Sequence, residues 1–166
     1  AAKFRTLNKR LTVASLDDFR IAVHAGDPVD SDIDRIVRAN GLVVSLDNVP
    51  GAIGAVGTLR RVYARSDGKT LGRALRIVRD AYGDPGMQRE VIDGMGFLCQ
   101  RYNGSLNDDE AVKKLSAAHG GVNGLVGKAE QLHKRMGTAK GQCVAAAAVE
   151  TINRGRGGKK LPDWWK

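Results

Sequence analysis

Between Thr58 and Gly83 the chain reads TLRRVYARSDGKTLGRALRIVRDAYG, which sets Arg60, Arg61, Arg65, Lys69, Arg73, Arg76 and Arg79 against only Asp67 and Asp80. The chemistry open to such a run is the recognition of anions. A guanidinium is a planar fork of donors that matches two phosphate oxygens at once, and six of these seven side chains are arginine. Contacts of this kind supply position and affinity and carry little sequence information. A second basic segment, NRGRGGKK, brings Arg154, Arg156, Lys159 and Lys160 on a glycine-rich backbone. A flexible basic segment can follow a nucleic-acid backbone or enter a minor groove. Trp164 and Trp165 suit either stacking on bases or packing back onto the domain, and LPDWW reads as an anchor.

Other chemistry finds little support in the spacing. His24, His119 and His133 are far apart and share no metal-ligand spacing with Cys99 and Cys143. The cysteines fall in apolar helical patterns and read as buried, reduced thiols. The stretch GGVNGLVGKA fails as a phosphate loop, because Val122 stands where the first glycine belongs and Ala129 where a serine or threonine would hold magnesium. Asp30, Asp32 and Asp34, like Asp108, Asp109 and Glu110, read as the acidic first turns of helices. No cofactor, no metal and no catalysis by this chain alone are expected.

The elements that would carry the basic residues follow from period and punctuation. AAKFRTLNK reads as the end of one helix, and SLDDFRIAVHAG as a second with Ser15 as its cap. Pro28 and Gly41 bracket a third, with Ile33, Ile36 and Val37 as its stripe. LVVS and AIGAV, separated by the turn cluster DNVPG, predict a small β-hairpin over 42–45 and about 52–55. Two helices followed by a hairpin and a further helix have the order of a winged-helix element, with a wing near Asp47–Gly51.

Leu59, Val62 and Tyr63 then share one face of a helix that ends near Ser66, and SDGK reads as a turn. Leu71, Leu75, Val78 and Tyr82 recur as a narrow stripe, which puts Arg73, Arg76 and Arg79 on the opposite side. These arginines are accordingly expected on an open face rather than in buried ion pairs. Further helices are expected to about Tyr102, over 108–118, over 122–136 and over 141–152. Gly94 and Gly96 make sense where another helix approaches closely, and the Ala145–Ala148 run suggests tight helix packing. Residues 29–40 and 122–136 each follow a helix and a tight turn, the order of a helix-turn-helix.

The fold class is therefore mostly α, a compact multi-helix domain with one small hairpin. It reads as a helical region over 1–83, a bundle over 84–152 and a basic tail over 153–166, or as one compact body. The chain has 166 residues, a net charge of +9 and no apolar run long enough to span a bilayer. Such a balance commonly serves nucleic acid. A chain that begins without Met inside a helical pattern is expected to be part of a longer protein, and a cytoplasmic setting is expected for it.

FRTLNKRLTVASLDDFRIAVHAGDP resembles the segment that follows the ParB/sulfiredoxin-like nuclease domain in proteins of actinobacteria and their phages. Phe4, Leu7, Asn8, Arg10, Ser15, Asp18, Phe19, Arg20, Ala25, Gly26 and Asp27 carry the likeness. IDRIVRANGLVVS, GAIGAVGTLRRVY and the closing LPDWW are also similar to that region. The resemblance implies that this chain is a helical C-terminal part suited to DNA binding. The family's catalytic and nucleotide-binding residues would lie upstream and have no counterparts here.

The leading expectation is a DNA-binding module that meets duplex phosphates through residues 58–80, assisted by the 151–160 segment. The triple change Arg60→Ala, Arg73→Ala and Arg76→Ala is then expected to weaken DNA binding without unfolding the chain. The other class of function is a protein-interaction or oligomerisation module, with Gly94, Gly96 and Ala145–Ala148 building the interface and a host protein or a second copy as partner. No membrane partner is expected.

Overall fold

The computed structural model describes the backbone of residues 2–166 and the side chains of residues 13–166. The side chains of Phe4, Leu7, Asn8 and Arg10, part of the resemblance above, lie outside the described residues. Eight helices are described: α1 (Ala2–His24), α2 (Pro28–Ala39), α3 (Val56–Arg65), α4 (Gly68–Tyr82), α5 (Arg89–Arg101), α6 (Asp108–Ala117), α7 (Gly121–Met136) and α8 (Lys140–Asn153). Two short strands, β1 (Val43–Val44) and β2 (Ala52–Ile53), lie between α2 and α3, and a 3-10 turn spans Asp84–Gly86.

Local chemistry sets most of these boundaries. The Asp27 carboxylate accepts from the Asp30 N–H at 2.9 Å and Pro28 takes the first turn of α2, so two orphan groups of the helix start are dealt with by sequence alone. Asp67 does the same for α4, accepting from the Thr70 N–H at 2.7 Å. Gly68 and Lys69 are consequently the first residues of α4 rather than part of a separate turn. Those amide hydrogen bonds hold the Asp67 carboxyl below its usual range.

Two expectations are corrected. Ser15 does not cap a helix: α1 runs through it without a break. Thr12 and Val13 are β-branched but cost only tenths of a kcal/mol each in a helix, and no glycine or proline stands nearby to stop the preceding pattern. The strands do not form a hairpin either. Val43 pairs with Ala52 and Val44 with Ile53 in parallel. Pro50 restricts Val49 to extended backbone, and the positive φ of the connection falls at its end, at Gly51 (φ +78). The chain therefore loops round through Ser45–Gly51 and returns in the same direction. This removes the wing as a two-stranded feature and leaves an exposed loop carrying Leu46 and Val49.

α4 is the wall between two apolar clusters. Leu71 and Leu75 join Leu16, Phe19, Ile33, Val37, Ile53, Leu59 and Val62. Ala74, Ile77 and Val78 join Met95, Leu98, Cys99, Leu115, Leu125 and the small residues of α8. Gly83 thus does not separate two independent cores, and Ile92 of α5 packs into the first cluster. α5 is gripped from two sides. A Cβ on Gly94 would sit 2.5 Å from Val144 Cγ1, and one on Gly96 would sit 2.8 Å from Val62 Cγ1. The close approach expected of these glycines is present. Because α8 and α3 fill it, and Ala145–Ala148 are buried, these residues leave no face for an oligomer.

Candidate functional site

The seven basic residues of the opening segment do not form a free cationic face. Arg60 binds Asp30 with both arms of its guanidinium, at 3.1 and 2.7 Å, and reaches Asp18 at 3.3 Å. Arg65 donates to the Asp93 carboxylate at 2.9 Å and lies over the Phe97 ring, 3.4 Å from its centroid. Arg73 is the most engaged. It grips Asp108 at 2.7 and 3.2 Å and also donates to the Asn103 side chain at 2.9 Å and to the carbonyls of Asn103 and Leu106. Arg76 shares Asp108 at 2.7 Å, and Arg79 donates to the Asn40 carbonyl at 2.6 Å and to Asp80 at 2.9 Å.

The expectation that these arginines avoid ion pairs is therefore corrected. The helical stripe put Arg73 and its neighbours off the apolar face, which is right, but acids from α1, α2, α5 and α6 come to meet them there. The hydrogen bonds to Asp30 hold the Arg60 guanidinium above its ordinary value, and those to Asp108 do the same for Arg73. The triple alanine change at Arg60, Arg73 and Arg76 is accordingly expected to destabilise the chain, because it strands the carboxylates of Asp30 and Asp108. Arg61, with a single 3.3 Å bond to Thr58, Lys69 and Arg76 are the exposed basic residues of this segment, and of these only Arg61 and Lys69 make no ion pair with a described residue.

The second basic segment is not a loose tail. The Asn153 side chain donates to the Leu161 carbonyl and accepts from the Leu161 N–H, both at 2.9 Å. That reciprocal pair closes residues 154–160 into a loop. Arg156 turns inward to Glu110 at 2.7 Å, while the Arg154, Lys159 and Lys160 side chains are exposed and make no ion pair with a described residue. Beyond the loop the chain docks as the anchor reading expected for Trp164. Its ring meets Phe97 edge-on at 6.3 Å and Tyr102 at 6.2 Å. Arg101 lies 4.6 Å from that ring and donates to the carbonyls of Asp163, Trp164 and Lys166. Replacing Arg101 with alanine is expected to cost about 1–2 kcal/mol and to shift tryptophan emission to the red as Trp164 comes free. An unchanged emission maximum would contradict this docking.

Closing the loop builds a cleft of about 620 Å³ between α7, α8 and the C-terminal residues. Arg135 of α7, Arg154 and Lys160 line it, together with Glu150, Trp164 and Trp165. A smaller hollow of about 280 Å³, lined by Lys128, Gln131, Leu132, Arg135 and Glu150, adjoins it. The cations of these two hollows make no ion pair with another described residue. Arg135 was not singled out from the sequence, and Lys128 entered only through the phosphate-loop reading of GGVNGLVGKA that its pattern failed. The signal was there: Lys128, Gln131, Leu132 and Arg135 fall at i, i+3, i+4 and i+7, one face of α7.

The remaining candidates are quiet. Burial pushes the Cys99 thiol up to about 12 and raises Cys143 as well, so neither is a thiolate at neutral pH. His133 Nδ1 lies 2.6 Å from the Thr138 carbonyl, at the end of α7. Asp30, Asp32 and Asp34 are each held by an arginine. Among the described residues no group of three His, Cys, Asp or Glu could hold a metal ion, and no helix is long and apolar enough to cross a membrane. Comparison with protein-family models, with curated proteins and with solved structures found no match for this chain.

Proposed function

We propose that this chain is a nucleic-acid-binding module whose phosphate contacts come from the cleft and loop at its C-terminal end. The observation that carries the reading is the sorting of the arginines. Those of α3 and α4 are mostly neutralised by acids of the same chain, while Lys128, Arg135, Arg154, Lys159 and Lys160 make no ion pair with a described residue. Charges without an internal partner keep their hydration until a polyanion replaces it, and that exchange releases counterions from the nucleic acid. The net charge of +9 draws the same partner over longer range. The resemblance to the region after ParB/sulfiredoxin-like nuclease domains agrees with this reading and adds no residue to it.

Two sets of variants test it. Arg135→Ala, Arg154→Ala and Lys160→Ala together are expected to weaken binding to a random-sequence duplex by about tenfold or more, with the thermal midpoint little changed. Arg76→Ala alone, which leaves the Arg73–Asp108 pair in place, is expected to leave affinity within about twofold. The reverse ranking would return the interface to α4 and overturn this reading.

A further inference from the structure

The chain holds two tryptophans, and they adjoin on the wall of the same cleft. Their surroundings differ. Trp164 is fixed by Phe97, Tyr102 and Arg101. Trp165 has no ring partner among the described residues and keeps 40% of its surface exposed, although its backbone is pinned: its N–H donates to Asp163 Oδ1 at 3.0 Å. The result is a large aromatic surface held in place by its neighbour and left open beside unpaired cations.

We infer that the cleft seats unpaired nucleotides of a single strand, with a base against Trp165 and the flanking phosphates at Arg135, Arg154 and Lys160. The inference rests on the nucleic-acid reading above and narrows it from duplex phosphate to the exposed base. A phosphate-only surface has no use for an open indole, whereas a single strand offers a π-face at every base. In a duplex those faces are covered by their neighbours in the stack. The cleft volume lies in the range of pockets that take ligands of nucleotide size. Glu150 and Asp163 are also on this wall. Asp163 Oδ1 accepts from the Trp165 N–H, and Glu150 offers an acceptor that suits an exocyclic amine.

Because both tryptophans of the chain line the cleft, tryptophan emission, excited selectively over that of the three tyrosines, reads this site. The first step is to replace Trp164 with phenylalanine, which keeps a ring against Phe97 and leaves Trp165 as the reporter. An oligothymidylate of about eight nucleotides should quench its emission and bind more tightly than a duplex of the same length. In the otherwise unchanged chain, Trp165→Ala should raise the single-strand Kd about tenfold while leaving duplex binding within about twofold. Quenching of equal depth by inorganic polyphosphate would overturn the stacking claim, and so would an unchanged single-strand Kd in Trp165→Ala. Equal quenching by polyglutamate would assign the cleft to an acidic protein instead. If the duplex still binds with a steep salt dependence in those cases, only this inference fails. If neither duplex nor single strand binds at low salt, the nucleic-acid reading fails with it.

Discussion

Replacing Gly94 with alanine is expected to destabilise the chain by about 2–4 kcal/mol, more than overpacking by one methyl commonly costs. The added Cβ would lie 2.5 and 2.6 Å from two carbons of Val144 and 2.9 Å from the Gly141 carbonyl oxygen. Only the first, with Cγ1, can be removed by shortening Val144 to alanine; the second is with its Cβ and the third with backbone. α5 and α8 would have to move apart, and the α8 face they share is built from Cys143, Val144, Ala147 and Ala148, all buried. Thermal or denaturant unfolding checks the size of the effect. Adding Val144→Ala should recover part of the loss, because it removes the tightest of the three clashes, that with Cγ1, and frees α8 to approach less closely at the expense of a small cavity. Full stability in Gly94→Ala would mean that α5 and α8 are not packed as described.

Asp108→Ala is the second large effect, expected at about 2–4 kcal/mol. The carboxylate is 14% exposed and Arg73 17%, so the loss should approach that of a broken buried pair without reaching its upper range. Arg73 would keep its bonds to Asn103 and Leu106, but two guanidiniums would face each other without their shared counterion. Most of the cost is this stranded charge. Arg73→Leu combined with Asp108→Leu should therefore be more stable than Asp108→Ala alone.

The same pair predicts a pH dependence. Burial pushes the Asp108 carboxyl up, but the hydrogen bonds and charges of Arg73 and then Arg76 outweigh it and hold the group below its ordinary value. A carboxyl lowered on folding contributes stability above its unfolded pKa of about 3.9 and loses it as pH falls through the folded value. The stability difference between the parent chain and Asp108→Asn should be complete at neutral pH and shrink below about pH 4. A difference that stayed constant down to pH 2 would show that charge is not what Asp108 supplies.

Local rules made much of the fold legible. Pro28 and Gly41 announced α2, the stripe through Leu71, Leu75 and Val78 announced α4, and the cost of Gly94 and Gly96 in a helix announced a close neighbour. What stayed hidden depended on residues distant along the chain. The acids that neutralise Arg60, Arg65 and Arg73 stand 28 to 42 residues away, beyond any helical period, so a basic face on one helix could not be told from one half of an ion-pair network. The parallel return of β2 was hidden for a similar reason. A turn-rich connection suggests reversal, and only the positions of Pro50 and Gly51 within it argue otherwise. The cleft was partly legible, since LPDWW read as an anchor and 153–160 as basic. The Asn153–Leu161 pair that makes a loop of that segment leaves no periodic trace.

The most direct test of the nucleic-acid reading is fluorescence-anisotropy binding to a labelled random-sequence duplex, with log Kobs followed against log salt concentration. Phosphate contacts predict measurable affinity at low salt and a steep negative slope. Removing Arg135, Arg154 and Lys160 together should flatten that slope by about three contacts at roughly 0.9 each. A chain that fails to bind at low salt would contradict the account. So would one that binds with a slope the triple variant leaves unchanged, and the unpaired cations of the C-terminal cleft would then be a hydrated surface.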